Sequence, residues 1–274
     1  MRFKDNLNDF HQFINNPKVV KLSWIAATTT WVSSVVIALL IAQLDPAGPS
    51  YDPAGFNPAI NYISDLGNQD LTPMPIIINW GMMNTALLMI PPTLYIKKIL
   101  IGDDSKLSRK LLANLTVGCM LIGMGGLFLT GVISEDVGEV WDKLFPIGYW
   151  LPWYWYESWH DLVADIAFTF FLISGILVAS QFIIFPDILE EKIGIEHPTR
   201  VRILFVINTW ILIPIFFYMF YTVPYLWYTE HFWTFLPWWQ WAPVWEWLLM
   251  ASQTVYLTST TLLAVKQINR ELEK

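Results

Sequence analysis

Cysteine is almost absent from this 274-residue chain: Cys119 stands alone. One thiol can form no intramolecular disulfide and no thiolate metal site, and its place inside an apolar run fits a small buried residue. Charge is scarce too, at 14% Asp, Glu, Lys and Arg against about 25% in soluble domains. No HExxH, no Gly-rich phosphate loop and no GxSxG elbow occurs, which removes the commonest metalloprotease, nucleotide and serine-hydrolase signatures. No lysine falls in the middle of an apolar run, so a retinal Schiff base is excluded. Charges deep in those runs are too few for a proton relay or an ion pore. Nothing points to nucleic-acid binding.

Apolar and aromatic surface is abundant instead: 55% hydrophobic residues, 16 Trp and 17 Phe, with a mean hydropathy of +0.44. A hydrocarbon core about 30 Å thick needs about 20 apolar residues per helix. Six segments meet that need: Leu22–Leu44, Pro75–Ile101, Leu111–Ile133, His160–Phe185, Val201–Pro224 and Pro243–Val265. The first 21 residues are polar and charged and no cleavage pattern follows, so no signal peptide is expected. The fold class is therefore all-α, a polytopic membrane helix bundle of six transmembrane helices. Its parts are an interfacial segment 1–21, a six-span domain 22–266 and a tail 267–274. Phe3, Leu7, Phe10 and Ile14 recur at helical spacing in the first part, as in a helix lying on a membrane surface.

The basic residues orient the spans. Of the 16 Lys and Arg, only Lys143 lies in a segment following an odd-numbered span; the other 15 share the opposite side. The positive-inside rule places both termini in the cytoplasm, in a multi-pass protein of the plasma membrane. Thirteen of the 23 acidic residues fall on the outer side, where the connecting segments 45–74, 134–159 and 225–242 are long. Long ordered connections tend to carry function.

Aromatic runs mark that outer side: Tyr149 to Tyr156, including Trp153 and Trp155, and Pro237 to Trp247, including Glu246. They read as an interfacial aromatic belt or as walls of a lipid-facing cavity. Three polar clusters accompany them. Asn61, Ser64 and Asp65 precede the second span and, taken alone, form a turn. Glu135 and Asp136 follow the third span, at a helix end whose dipole disfavours negative charge. Glu157, Asp161 and Asp165 are spaced four apart and would stack on one helix face beside His160. Ser158 and Asp161 also fit a capping box, but Asp165 lies about two turns in, where an ionisable group in a span is a candidate for function.

These residues resemble a six-span family comprising DRAM-type autophagy modulators, GPI-lipid-remodelling relatives and a prokaryotic branch of unknown function. The similarity rests on Ile63, Ser64, Asp65 and Gly67, on Gly131 and Glu135, and on His160, Ala164 and Phe168. It covers residues 20 to 185, with the last two spans similar only in topology. The segment between Asp136 and His160 is longer and richer in Trp than the family pattern. The resemblance implies membrane residence and dealings with lipid, and no established reaction.

Two functions remain. The first is a lipid-handling protein with a pocket toward the outer leaflet among spans two, three, four and six. Asn61, Glu135, Asp136, Trp153, Trp155 and Glu246 would bind its ligand. Ser64, Asp65, His160 and Asp165 would be its catalytic candidates. Glu157, His160, Asp161 and Asp165 could hold a divalent cation such as Mg, Ca, Mn or Zn. The second is a non-catalytic subunit whose Trp-rich outer segments dock other membrane subunits.

Overall fold

The computed structural model describes residues 12–44, 56–58, 61–69, 71–102, 106–145, 158–227 and 242–273. Most of the expected interfacial segment, both Trp-rich runs before residue 242, and with them Trp153, Trp155 and Glu157, lie outside the described residues.

Helices make up every regular element among the described residues. They are α1 (Pro17–Leu44), α2 (Ile76–Leu88), α3 (Ile90–Ile101), α4 (Leu107–Val132), α5 (Glu135–Leu144), α6 (Trp159–Ile184), α7 (Pro198–Val206), α8 (Ile213–Trp227) and α9 (Ala242–Leu272). A 3-10 turn, Ser64–Gly67, precedes α2; π-helical turns occupy Ile188–Lys192 and, between α7 and α8, Ile207–Leu212. Five helical stretches are long and apolar enough to cross a membrane: Pro17–Leu44, Leu107–Val132, Trp159–Ile184, Pro198–Thr222 and Pro243–Leu272.

The expected second span, Pro75–Ile101, is a pair of helices of 13 and 12 residues. Each is too short to cross about 30 Å alone. The cause is local. Pro91 and Pro92 supply no N–H to the carbonyls of Leu87 and Leu88, and their rings crowd the preceding turn. Met89 between the helices stays near helical geometry (φ −81°, ψ −8°), so the path kinks and continues. A second proline acts similarly: Pro214 removes the donor for the Trp210 carbonyl, and the chain widens into the π turn just before it.

Close packing follows glycine. α4 and α6 run against each other along most of their length. A Cβ on Gly126 would come within 2.6 Å of the Ala167 backbone nitrogen, and one on Gly123 would meet the Phe171 ring at 2.6 Å. On the same principle α1 approaches α2, where a Cβ on Gly81 would collide with the Ser34 side chain. In lipid, where apolar side chains gain little by meeting one another, small residues and interhelical hydrogen bonds hold helices together. Gln181 Nε2 donates to Thr116 Oγ1 (2.8 Å), Gln253 Nε2 to the Phe168 carbonyl (2.9 Å) and the Tyr256 hydroxyl to Ser174 Oγ (3.1 Å). α9 thus closes the bundle against α6, and it also touches α1, α3 and α8.

Basic side chains gather at one end. Lys98 pairs with Glu271 (3.0 Å), Arg109 with Asp187 (2.7 Å), and Lys21 Nζ donates to Asn269 Oδ1 (3.2 Å). The carboxylates described next occupy the other end.

Candidate functional site

The acidic end is built on the short stretch 61–69. Asp65, in the 3-10 turn, accepts hydrogen bonds at Oδ2 from the Tyr62 N–H (2.8 Å) and Asn61 Nδ2 (3.2 Å). Burial, reinforced by the Glu135 carboxylate, pushes Asp65 up from 3.8 to about 7. The same stretch is latched to three helices. Ile63 N–H donates to Glu246 Oε2 (2.8 Å) and Trp247 Nε1 to the Asn61 carbonyl (3.0 Å), fixing it to α9. Asn68 Nδ2 donates to Glu135 Oε2 (2.9 Å) and the Gln69 N–H to Asp136 Oδ2 (3.1 Å), fixing it to α5. Asn79 Nδ2 of α2 reaches the Gly67 carbonyl (3.2 Å).

Glu135 and Asp136 correct an expectation. They do not end the third span; Ser134 separates it from α5, whose first turn they form. There the helix dipole favours negative charge, and Lys143 in the last turn completes the match. α5 leaves an apolar face of Val140, Trp141 and Leu144 exposed, as interfacial helices do.

Ser158 and Asp161 form the capping box that opens α6: Asp161 N–H donates to Ser158 Oγ (3.2 Å) and the Ser158 N–H to Asp161 Oδ2 (3.0 Å). His160, 3% exposed, turns the other way. Its Nδ1 lies 2.6 Å from the carbonyl oxygen of Ile133, at the end of α4, and its Nε2 is buried with no hydrogen-bond partner among the described residues. Asp165 faces α8, where its Oδ1 accepts from the Tyr221 hydroxyl.

Beneath the acidic end lies a cavity of about 280 Å³ enclosed by α1, α2, α4, α6 and α9. His160, Ser64, Ile63 and Glu246 line its upper end, and Met82, Met124, Phe171 and Leu257 are among the mostly apolar side chains below. Along α9 it runs from Glu246 to Thr258, about 18 Å at helical rise. Val32, on its α1 wall, is half exposed, and the Trp31 indole donates to Thr254 Oγ1 (3.2 Å) across the gap between α1 and α9.

Of the candidates, Ser64, His160 and Glu246 share this cavity. Asn61, Asp65, Glu135 and Asp136 brace the turn above it. Asp165 is not among its lining residues. Ser64 does not bond His160, since Nε2 has no partner, so no nucleophile–base pair is formed. Among the described residues no three His, Cys, Asp or Glu side chains converge to hold a metal ion: Asp161 is engaged by Ser158, Asp165 by Tyr221, and Glu157 lies outside them. The wall missed in the sequence is α1, which contributes Trp24, Ala27, Thr28, Trp31 and Val32. Trp24, Thr28 and Trp31 recur at helical spacing, a signal that reads equally well as a lipid-facing stripe.

The sequence profile of a family described as "Protein of unknown function (DUF998)" matches residues 25–254. The chain belongs to the DUF998 family. The match spans α1 to the first part of α9, so this DUF998 chain carries the turn, the buried histidine and Glu246 all inside the family region. Nothing in the comparisons ties it to DRAM-type or GPI-lipid-remodelling proteins. No curated protein and no solved structure matches it.

Proposed function

We propose that this protein crosses the membrane six times, with α2 and α3 forming one kinked crossing, and that it binds a single lipid chain in the cavity between α1 and α9. The 15-to-1 distribution of Lys and Arg supports a cytoplasmic basic end. It also supports an outward-facing acidic end. The observation that carries the lipid reading is the cavity itself. It is elongated and nearly all apolar, with its two ionisable lining residues, His160 and Glu246, at one end. Ligand sites have that character, with a volume near the lower bound of about 300 Å³. Its length of about 18 Å corresponds to roughly one leaflet of a core about 30 Å thick. The half-exposed rim at Val32 gives a route from the bilayer.

Binding is the proposed activity; among the described residues Ser64 and His160 form no nucleophile–base pair. The test fills the cavity. Ala164 lines it, and Ala164→Trp should abolish co-purification of lipid, measured by extracting the detergent-purified protein and quantifying lipid per chain. Equal lipid content in the variant, with its melting temperature preserved, would reject the reading. It would then leave docking of membrane subunits through the Trp-rich outer segments as the alternative.

A further inference from the structure

The polar end of the cavity is unbalanced. The Ile133 carbonyl can only accept, so the proton between it and His160 belongs to Nδ1, and in the neutral ring Nε2 is left with a lone pair. That lone pair is buried, and its ring lines the cavity. Glu246, 5% exposed, takes one hydrogen bond, at Oε2 from Ile63. Its Oε1 accepts none among the described residues. Three donors on the lining are engaged: Thr130 Oγ1 donates to the Gly126 carbonyl (2.9 Å), Gln253 Nε2 to the Phe168 carbonyl and Trp31 Nε1 to Thr254, while the Ser64 hydroxyl beside His160 can donate as well as accept. The unpartnered indole N–H of Trp24 lies toward the other end of the cavity. No Lys or Arg is among the described lining residues. The carboxyl groups of Asp65, Glu135 and Asp161 stand nearby, and no basic side chain accompanies them on the described lining.

A polar end with an unpaired buried imidazole nitrogen, and with no Lys or Arg among the described lining residues, gives an anionic head no counter-charge and leaves the ligand to supply a hydrogen to that nitrogen. We infer that the cavity selects a long-chain lipid whose polar end is a hydrogen-bond donor carrying no anionic group, a hydroxyl or a protonated amine, received by His160 Nε2 and Glu246. This rests on the lipid reading and narrows it to a head chemistry. Buried acceptors discriminate strongly, because a ligand that cannot donate leaves them unpaired.

Four ligands with the same chain separate the outcomes: monooleoylglycerol, oleylamine, oleic acid and oleoyl lysophosphatidic acid, each titrated into the detergent-purified full chain and followed by native mass spectrometry. The first two should bind at least tenfold more tightly than the last two. His160→Asn keeps an amide donor where Nδ1 meets Ile133 and removes Nε2. It should weaken monooleoylglycerol at least fivefold and leave oleic acid unchanged. Glu246→Gln should weaken oleylamine more than monooleoylglycerol if the amine is the better fit, and both alike if the hydroxyl is. Equal binding of all four ligands, abolished by Ala164→Trp, would overturn the head selectivity and leave the lipid site standing, as would tighter binding of either anion. Binding of none would overturn both. The comparison on the unmodified protein decides the matter even if a variant fails to fold.

Discussion

Asp65→Asn is the substitution whose outcome follows most directly from the structure. The unfolded chain gives up this proton near 3.8, whereas the folded protein holds it to about 7, burial being the main cause and Glu135 the second. Well below pH 3.8 both states are protonated and Asp65 makes no difference to stability. As pH rises from there, the unfolded state gains from ionisation and the folded state does not, so stability falls by about 1.4 kcal/mol per pH unit. The loss reaches about 4 kcal/mol at most and levels off above about pH 7. Asparagine has no proton to lose, and its carboxamide oxygen can accept from the same Tyr62 N–H and Asn61 Nδ2. Other carboxylates shape both pH profiles and largely cancel in the difference. Thermal melts followed by intrinsic tryptophan fluorescence, in one detergent between pH 4.5 and 8, read that difference. The variant should melt about 2 to 4 °C above the parent at pH 4.5, where the difference is about 1 kcal/mol, and roughly 8 °C or more above it at pH 8, taking about 2 to 4 °C per kcal/mol. Parallel melting curves across the range, or a variant less stable at pH 8, would refute the argument that burial of this carboxyl opposes folding.

Three further outcomes are expected. Gly126→Ala should lose about 1 to 3 kcal/mol, because its Cβ meets the Ala167 backbone. Gly118→Ala, with nothing within 4 Å of the added carbon, should be neutral or gain about 0.5 to 1 kcal/mol; the same melts compare the two. Arg109→Met should be strongly destabilising, about 3 kcal/mol, since it strands Asp187 and removes the 2.7 Å bond from Nε to the Leu100 carbonyl; denaturant titration measures it. In a Cys119→Ser background, Lys143→Cys should react with a membrane-impermeant maleimide applied to intact cells and Lys106→Cys only after permeabilisation. The reverse pattern would invert the proposed orientation.

Much of the bundle was legible because hydropathy is a property of long windows, and five of the six expected spans coincide with long apolar helices. The second did not, for the same reason. Averaging over Pro75–Ile101 hides Pro91 and Pro92, which interrupt backbone hydrogen bonding without lowering the apolar character. α5 also had a signal: Ser134 ahead of two acids, then Val137, Val140, Trp141 and Leu144 at helical spacing. Its charge placed it outside any span, where it passed for a loop. At the site, the equal spacing of Glu157, Asp161 and Asp165 suggested a shared purpose. Capping explains Asp161, and a hydroxyl from α8 occupies Asp165. The Ser158 cap was readable from its spacing to Asp161, whereas Tyr221 is far from Asp165 in sequence and no spacing could reveal it. The cavity was least legible. Its walls are ordinary apolar residues on five helices, and only their three-dimensional arrangement leaves a space between them.

The contact between Gly126 and Ala167 has a consequence for how these proteins diverge. Where two backbones touch, there is no side chain left to adjust, so a change at either position cannot be absorbed by repacking nearby. Within the family the two sites should vary as a linked pair, each confined to the smallest residues for as long as the other is. A lineage that enlarges one of them would have to separate α4 from α6, and because both helices wall the cavity, the same step would reshape what it can hold.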